Sequence, residues 1–542
     1  MMDEKDLQKT EETEASTIFD APRQIQAKEK KSSTKTKKTW MIILLIITAA
    51  ALLSIAIYGV NNWIPSKEDT SSTESETNTL DPIVSKSENG STDCIKAMSI
   101  LNTEDSFNLV RNKEGIMVVE GYEDLPNATS SIDNILSYFV QVTPKSVIFE
   151  KATAEQLKAC GLDNATYKAK VTYTDGDTIT FCFGNLEAGD SNGYYLCLEG
   201  QNTVYLVNVE LCQSIGCTSL SLLSSSMITA PSNASDDTTG VAKVLKMRLS
   251  GSIRDEAIAL RYIDDTDSQS YRMAGNMVIT EPYYRAIDTK QTQEWDTSLV
   301  ALTALDTIKA HPTAEDLAKY GLDTPHSVGE FTVGIRKSTD ESGNDLDEVK
   351  IYNQATYTVS LGDTDEDGNY YAMVNGIDIV YTVSASTVPW AECKYEDLVS
   401  DILFLRNITD ISDIHIVLNG KEHTIHLKHE KKETSDGTST VEELTATIGS
   451  KTCDTDAVRN LYSSMMMIQR LESLEEGTTI SGSPALRLYL TSVDKDNAEK
   501  TDVSFYPLNA NRYICVVEDG DTYQVKASDI ESFITKVNDL IK

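Results

Sequence analysis

Positive charge is what this 542-residue chain lacks: 48 Lys and Arg stand against 84 Asp and Glu, a net charge of −36. A surface of that sign repels phosphate backbones and anionic headgroups, so nucleic acid is excluded as a partner. Cysteine is scarce as well. The nine Cys form no CxxC pair and show no metal-ligand spacing, which argues against a disulfide scaffold and a zinc module. Cys212 and Cys217 are close enough for a local bridge, although spacing alone does not establish one. Cys182, Cys197 and Cys515 lie in β-patterned runs, where a buried thiol behaves as a small hydrophobe. For nucleophilic catalysis, no G-x-S-x-G, S-x-x-K or Cys–His arrangement stands in a plausible context. Acid pairs for glycoside hydrolysis are too numerous to choose among. No catalytic residue, cofactor or metal ligand is assigned, and the chain is read as non-enzymatic.

One feature is plainly present. Met41 to Val60 (MIILLIITAAALLSIAIYGV) carries no charge over twenty residues, about 30 Å of helix and the thickness of a bilayer core. Arg23, Lys28, Lys30, Lys31, Lys35, Lys37 and Lys38 precede it, and Trp40 and Trp63 bracket it. The positive-inside rule then places the N-terminus in the cytoplasm and everything after Val60 outside. The apolar core is longer than a cleavable signal's, no small-x-small site follows, and no Cys ends the run. An uncleaved anchor held in the lipid bilayer is expected. The organisation expected is a disordered tail (1–39), the anchor (40–60), a disordered Ser/Thr/Glu-rich linker (61–95) and three related units (96–240, 241–405 and 406–542).

The units are read from repetition. Thr153–Asn164 (TAEQLKACGLDN) returns 160 positions later as Thr313–Thr324 (TAEDLAKYGLDT), with seven of twelve residues identical. Each copy then reaches a Tyr-Tyr pair and a Val-Tyr: Tyr194, Tyr195 and Tyr205, then Tyr370, Tyr371 and Tyr381. A third copy keeps only the spacing, Tyr513 and Tyr523. Gly turns between the outer tyrosines (Glu199-Gly200, Asn375-Gly376, Asp519-Gly520) predict hairpins, with Asn375-Gly376 in a type I′ turn. Ile132, Ile135, Leu136 and Phe139 follow helical spacing, as do Val458, Leu461, Tyr462 and Met465; Leu299, Leu302, Leu305 and Ile308 form a drifting stripe read as the second unit's helix. Gly161 and Gly321 read as helix C-caps, with Leu162 and Leu322 plugging a core. Each unit is expected to close on an amphipathic run. The fold class predicted is α+β, with antiparallel β-meanders and packed amphipathic helices after a single transmembrane helix.

The segment from Tyr271 to Pro325 resembles a bacterial family of domains of unknown function. Its pattern is a hairpin ending at Pro282, an amphipathic helix over Leu299–Ile308, and a turn carried by Glu315, Asp316, Tyr320, Gly321, Leu322, Asp323 and Pro325. The first copy departs at Gln156, Cys160 and Ala165, and the third lacks the GLD turn. The resemblance implies membrane anchoring and an accessory role beside an export-type ABC transporter and its gliding-motility-type auxiliary proteins, with a transporter permease or auxiliary protein as partner. It implies no catalytic residues.

Four surface features compete as sites. Asp363-Thr-Asp365-Glu-Asp367-Gly368 matches the first half of an EF-hand loop, but Val374 stands where the bidentate Glu belongs; a hairpin tip is the preferred reading. His415, His423, His426 and His429 surround an Asn419-Gly420 hairpin whose expected register pairs Leu418 with Lys421 and His415 with Thr424. That leaves only His415 and His426 on one face, too few for zinc. Met465, Met466 and Met467 are assigned to core packing. The paired tyrosines could stack on sugars of an envelope glycan, yet strand alternation exposes at most one of each pair.

Overall fold

The computed structural model describes residues 80–542 except 88, 189–191, 233–239, 265–274, 341, 344, 434–439, 475–476 and 494–500. The expected tail and membrane anchor lie outside the described residues. Among those described, no helix is long and apolar enough to cross a membrane.

Three large antiparallel sheets follow one another along the chain, so the protein is a β-rich α+β structure with few helices. Part of the expected linker is strand instead: Val84–Ser85 (β1) pairs with a later segment and buries Val84. The first module then runs β2 (Ile95–Leu101), β3 (Ser106–Arg111), β4 (Met117–Val119), α1 (Thr129–Val140), β5 (Gln141–Val142, the partner of β1), β6 (Ser146–Phe149) and α2 (Ala154–Ala159). A second meander follows, β7 (Tyr167–Tyr173), β8 (Thr178–Leu186), β9 (Gly193–Leu198) and β10 (Val204–Asn208), with a short α3 (Val209–Gln213). Its sheet order is β4-β3-β2-β7-β8-β9-β10-β6. Ile132, Ile135, Leu136 and Phe139 of α1 are all buried against this sheet. Each such side chain contributes ~1.5–3 kcal/mol relative to exposure.

The second module repeats the plan. After β11 (Ser226–Ile228) come β12 (Val241–Ser250), β13 (Ile258–Tyr262), β14 (Met277–Glu281) and β15 (Arg285–Ala286). Two short helices, α4 (Thr289–Thr292) and α5 (Trp295–Ser298), lead to β16 (Leu302–Thr303), β17 (Asp306–Ala310) and α6 (Ala314–Lys319). The meander is β18 (Ser327–Thr339), β19 (Asp345–Thr364), β20 (Tyr370–Val374) and β21 (Ile379–Val383), before α7 (Tyr395–Leu398). The order is β15-β14-β13-β12-β18-β19-β20-β21-β17. The helix expected over Leu299–Ile308 is not there. A strict three-residue spacing turns by about 300° per step and so drifts off any one helix face. The β-branched Thr303, Thr307 and Ile308 extend instead, β17 pairs with β21, and Leu305 is 59% exposed. Trp295 and Leu299 supply the buried helical contacts.

The third module has β22 (Ile411–Leu418), β23 (Lys421–Glu433), β24 (Thr440–Ile448), β25 (Lys451–Thr452), α8 (Thr455–Met466), β26 (Leu486–Ser492), β27 (Thr501–Asn509), β28 (Arg512–Val517), β29 (Thr522–Lys526) and α9 (Ala527–Ile541). The order β25-β24-β23-β22-β26-β27-β28-β29 matches the other two. Of the expected closing runs, only α9 is long. More than spacing survives in this third copy. Lys145 N–H donates to Leu206 O (2.7 Å) in the first module and Leu305 N–H to Thr382 O (2.8 Å) in the second. Leu471 N–H donates to Gln524 O (2.9 Å) in the third. Leu471–Ser473 therefore takes the place of β6 and β17 against β29, with a bridge between Ser473 and Tyr523.

The GLD turn is one device built from two distant pieces. Gly161 (φ +71°) and Gly321 (φ +67°) end α2 and α6 in the left-handed region. Leu162 N–H reaches Leu157 O and Leu322 N–H reaches Leu317 O, both at 2.8 Å, which closes each cap. The cap carbonyls are covered from the sheet: Asn185 N–H donates to Cys160 O (2.8 Å) and Asp363 N–H to Tyr320 O (2.9 Å). The preceding Gly184 and Gly362 allow that approach, since a Cβ there would sit 2.1 Å from the same carbonyl oxygens. Small cores form on this side of the sheets, Cys160, Leu162, Cys182, Cys197 and Val204 in one module and Tyr320, Leu322 and Val380 in the next.

Candidate functional site

The acidic loop is a self-satisfied turn. Asp365 accepts N–H bonds from Asp367 (3.0 Å) and Asn369 (2.8 Å) and a side-chain bond from Asn369 (3.1 Å), which hold its carboxyl below the ordinary range. The Asn419-Gly420 hairpin has both residues at positive φ (50° and 77°), and Leu418 pairs with Lys421 and His415 with Thr424, as the register required. His415 stacks on Tyr489 at 4.1 Å, while His426 lies 2.5 Å from Asp413. No group of three His, Cys, Asp or Glu among the described residues could hold a metal ion. Asn375-Gly376 is not the expected two-residue turn: only Gly376 has positive φ, and Val374 and Ile379 flank a longer loop. Asn375 is drawn back onto β19, where its carboxamide accepts Thr358 N–H at 2.7 Å. Tyr194 and Tyr195 enter opposite cores, as do Tyr370 and Tyr371. Met465 is buried, but Met467 is 64% exposed, so core packing does not account for all three methionines.

A dense polar constellation lies between the second and third modules, and sequence reasoning missed it. Arg285 on β15 forms a two-pronged bond with Asp519 (2.8 Å each) on the β28–β29 turn, and its Nε donates to Asp521 Oδ2 at 3.2 Å. Tyr395 on α7 donates to the same Asp521 oxygen at 3.1 Å. Arg470, just ahead of the Leu471–Ser473 edge segment, is packed between the rings of Tyr395 and Tyr523, its guanidinium carbon 4.8 Å from each centroid. Arg470 is 4% exposed and Asp521 3%. Their nearest atoms are 4.0 Å apart, and Arg470 Nε and Nη1 have no hydrogen-bond partner among the described residues. The cation is held by ring faces and by one carboxylate. Arg254 nearby shows the alternative solution, with donors to Cys393 O, Ser250 O, Ser327 Oγ and Trp390 O.

Burial works against the Arg285 cation, yet the Asp519 bonds and neighbouring negative groups hold its pKa above the ordinary arginine value. Burial, reinforced by Asp521, pushes the Tyr395 hydroxyl upward, and burial does the same to Tyr523. Both phenols therefore stay neutral. Beside them opens a polar cavity of about 430 Å³ bordered by Asp255, Glu256, Tyr283, Lys394 and Glu396. Ser473 Oγ donates to Glu396 at 2.7 Å, a further tie between modules. The arrangement neutralises buried charge and fixes two modules to each other. Its faint trace in the sequence is Asp519 and Asp521 flanking the repeated Gly turn, and one Arg inside MMMIQRL.

The first and second modules are joined differently. Leu125 and Leu223 enter the second module's core, and Tyr381 donates its hydroxyl to Ser224 O at 3.1 Å. His311 lies 3.4 Å from Asp124 and 3.3 Å from Asp378.

The family model of a domain of unknown function, DUF4340, matches residues 118–270 and 278–475. Both matches begin in the third strand of a sheet, β4 and β14, and the second ends just past the edge segment of the third module. Comparison with curated proteins and with solved structures finds no significant match.

Proposed function

The chain belongs to the DUF4340 family, whose function is unknown, and from that premise we propose that it is a non-enzymatic, membrane-anchored accessory or scaffold protein of an export-type ABC transporter. In this reading Met41–Val60 is the anchor, the N-terminus is cytoplasmic, and the acidic three-module body stands outside. The observation that carries it is the junction of Arg285, Asp519, Asp521 and Arg470, which fixes one module to the next. A body that holds its modules in register suits spacing or bracing a partner better than opening and closing on a substrate. The test is mild crosslinking in intact cells followed by purification through the anchored chain. Co-purification of a transporter permease is the expected result; recovery of the chain alone overturns the proposal.

The alternative is an envelope glycan-binding module. Its aromatic platform is weakened, because Tyr370 and Tyr381 are buried and Tyr371 packs on Tyr320 at 4.6 Å. Pull-down by purified wall polymer distinguishes it.

A further inference from the structure

We propose that Cys182 and Cys197 are a disulfide-forming pair, oxidised by thiol–disulfide exchange with a small or protein disulfide to a bond across β8 and β9. The two residues are direct cross-strand partners. Glu199 N–H donates to Thr180 O at 2.9 Å, which marks positions 180 and 199 as a hydrogen-bonded pair. Two steps along each strand, 182 and 197 fall in the same class, with Cα atoms ~5.5 Å apart. That lies within the ~4.4–6.8 Å range of disulfides, and a small approach of the two strands brings the Cβ atoms to bonding distance.

The side chains also agree. Phe181, Phe183, Leu196 and Leu198 point into the main core, whereas Cys182 and Cys197 both point the other way, into the small core beneath α2. There the two thiols share one small core as cross-strand neighbours. All nine cysteines are in the thiol state in this structure. Cys160 shares the small core, while Cys212 belongs to the main one.

The exchange balances in two steps. Either cysteine can open the exchange; when Cys182 does, its thiolate attacks a disulfide R–S–S–R, forming a Cys182–S–S–R mixed disulfide and releasing one thiolate. Cys197, giving up its proton, attacks the Cys182 sulfur, closes the Cys182–Cys197 bond and releases the second thiol. Two protein thiols are oxidised and one external disulfide is reduced to two thiols. Cys182 and Cys197 are only 6% and 7% exposed, so the oxidant enters when the six-residue α2 lifts or before it docks.

The proposal stands apart from the membrane reading and is tested on the purified full-length chain. The protein is equilibrated with glutathione disulfide over graded urea below its unfolding midpoint, then denatured in excess iodoacetamide. Digestion with trypsin and a glutamyl endopeptidase separates the two cysteines, because Glu187 lies between them. The expected result is a linked Cys182–Cys197 peptide pair and a fall from nine alkylated cysteines to seven. Cys197→Ser should instead stop at a glutathione adduct on Cys182, and Cys160→Ser should bridge as the natural chain does. Complete alkylation across the series, nine cysteines in the natural chain and eight in each variant, or a bridge that recruits Cys160, Cys212 or Cys217, overturns the assignment.

Discussion

Asp521 faces three groups at once: it accepts from the Arg285 guanidinium and the Tyr395 hydroxyl and lies 4.0 Å from Arg470. Removing one partner of a buried charge pair typically costs ~3–5 kcal/mol, because the other is left uncompensated. Asp521→Ala is therefore expected to destabilise the chain by about that much in urea melts. Arg470→Met should cost less, since Asp521 keeps Arg285 and Tyr395, and the double variant should fall short of the sum. Acid should act on Asp105, Asp316 and Glu392. Burial raises Asp105, but bonds from Ser219 outweigh it; Thr313 lowers Asp316; and Tyr370 and His326 overcome the burial of Glu392. Each folded pKa lies below its unfolded value, 3.8 for Asp and 4.5 for Glu. Their stabilisation is thus complete above the unfolded values and lost as pH falls through the folded ones. Denaturant midpoints should be flat above about pH 5 and decline below about pH 4.

The caps of α2 and α6 carry the clearest predictions at the scale of single elements. Thr313 accepts Asp316 N–H at 3.2 Å while the Asp316 carboxylate accepts Thr313 N–H at 2.9 Å. Thr313→Ala should cost about 1 kcal/mol. Gly362→Ala drives a Cβ to 2.1 Å from Tyr320 O, a backbone atom that a rotamer change cannot move. A loss of at least ~1–3 kcal/mol in chemical denaturation is expected. Local features of this kind could be read from sequence. The four apolar positions of α1, the αL glycines and the Leu418–Lys421 register each depend on neighbours within a few residues. The failures have one physical origin, which is that distant partners decide. β17 became a strand because β21 offered it hydrogen bonds, and Asn375 left its turn conformation for Thr358. The junction joins Arg285 to Asp519 across 234 positions, with no local pattern to announce it.

At the scale of the whole molecule, the repeated plan predicts topology and assembly together. If Met41–Val60 anchors the chain with its N-terminus inside, protease added to intact cells should release fragments of the modules and spare the first forty residues. Trimming of the tail alone would reverse the orientation. The strands at the rims of the three sheets bear on a different hazard. Beyond their neighbours, β4 has three residues, β15 and β25 two each, β6 four and β17 five, and β29 is covered by Leu471–Ser473. A long bare rim would invite a neighbouring chain to add its own strand and begin a fibril. Where strands do run past their outer partners, over 345–357 of β19 and 440–445 of β24, the strong net negative charge of the chain is what keeps many crowded copies from zipping together.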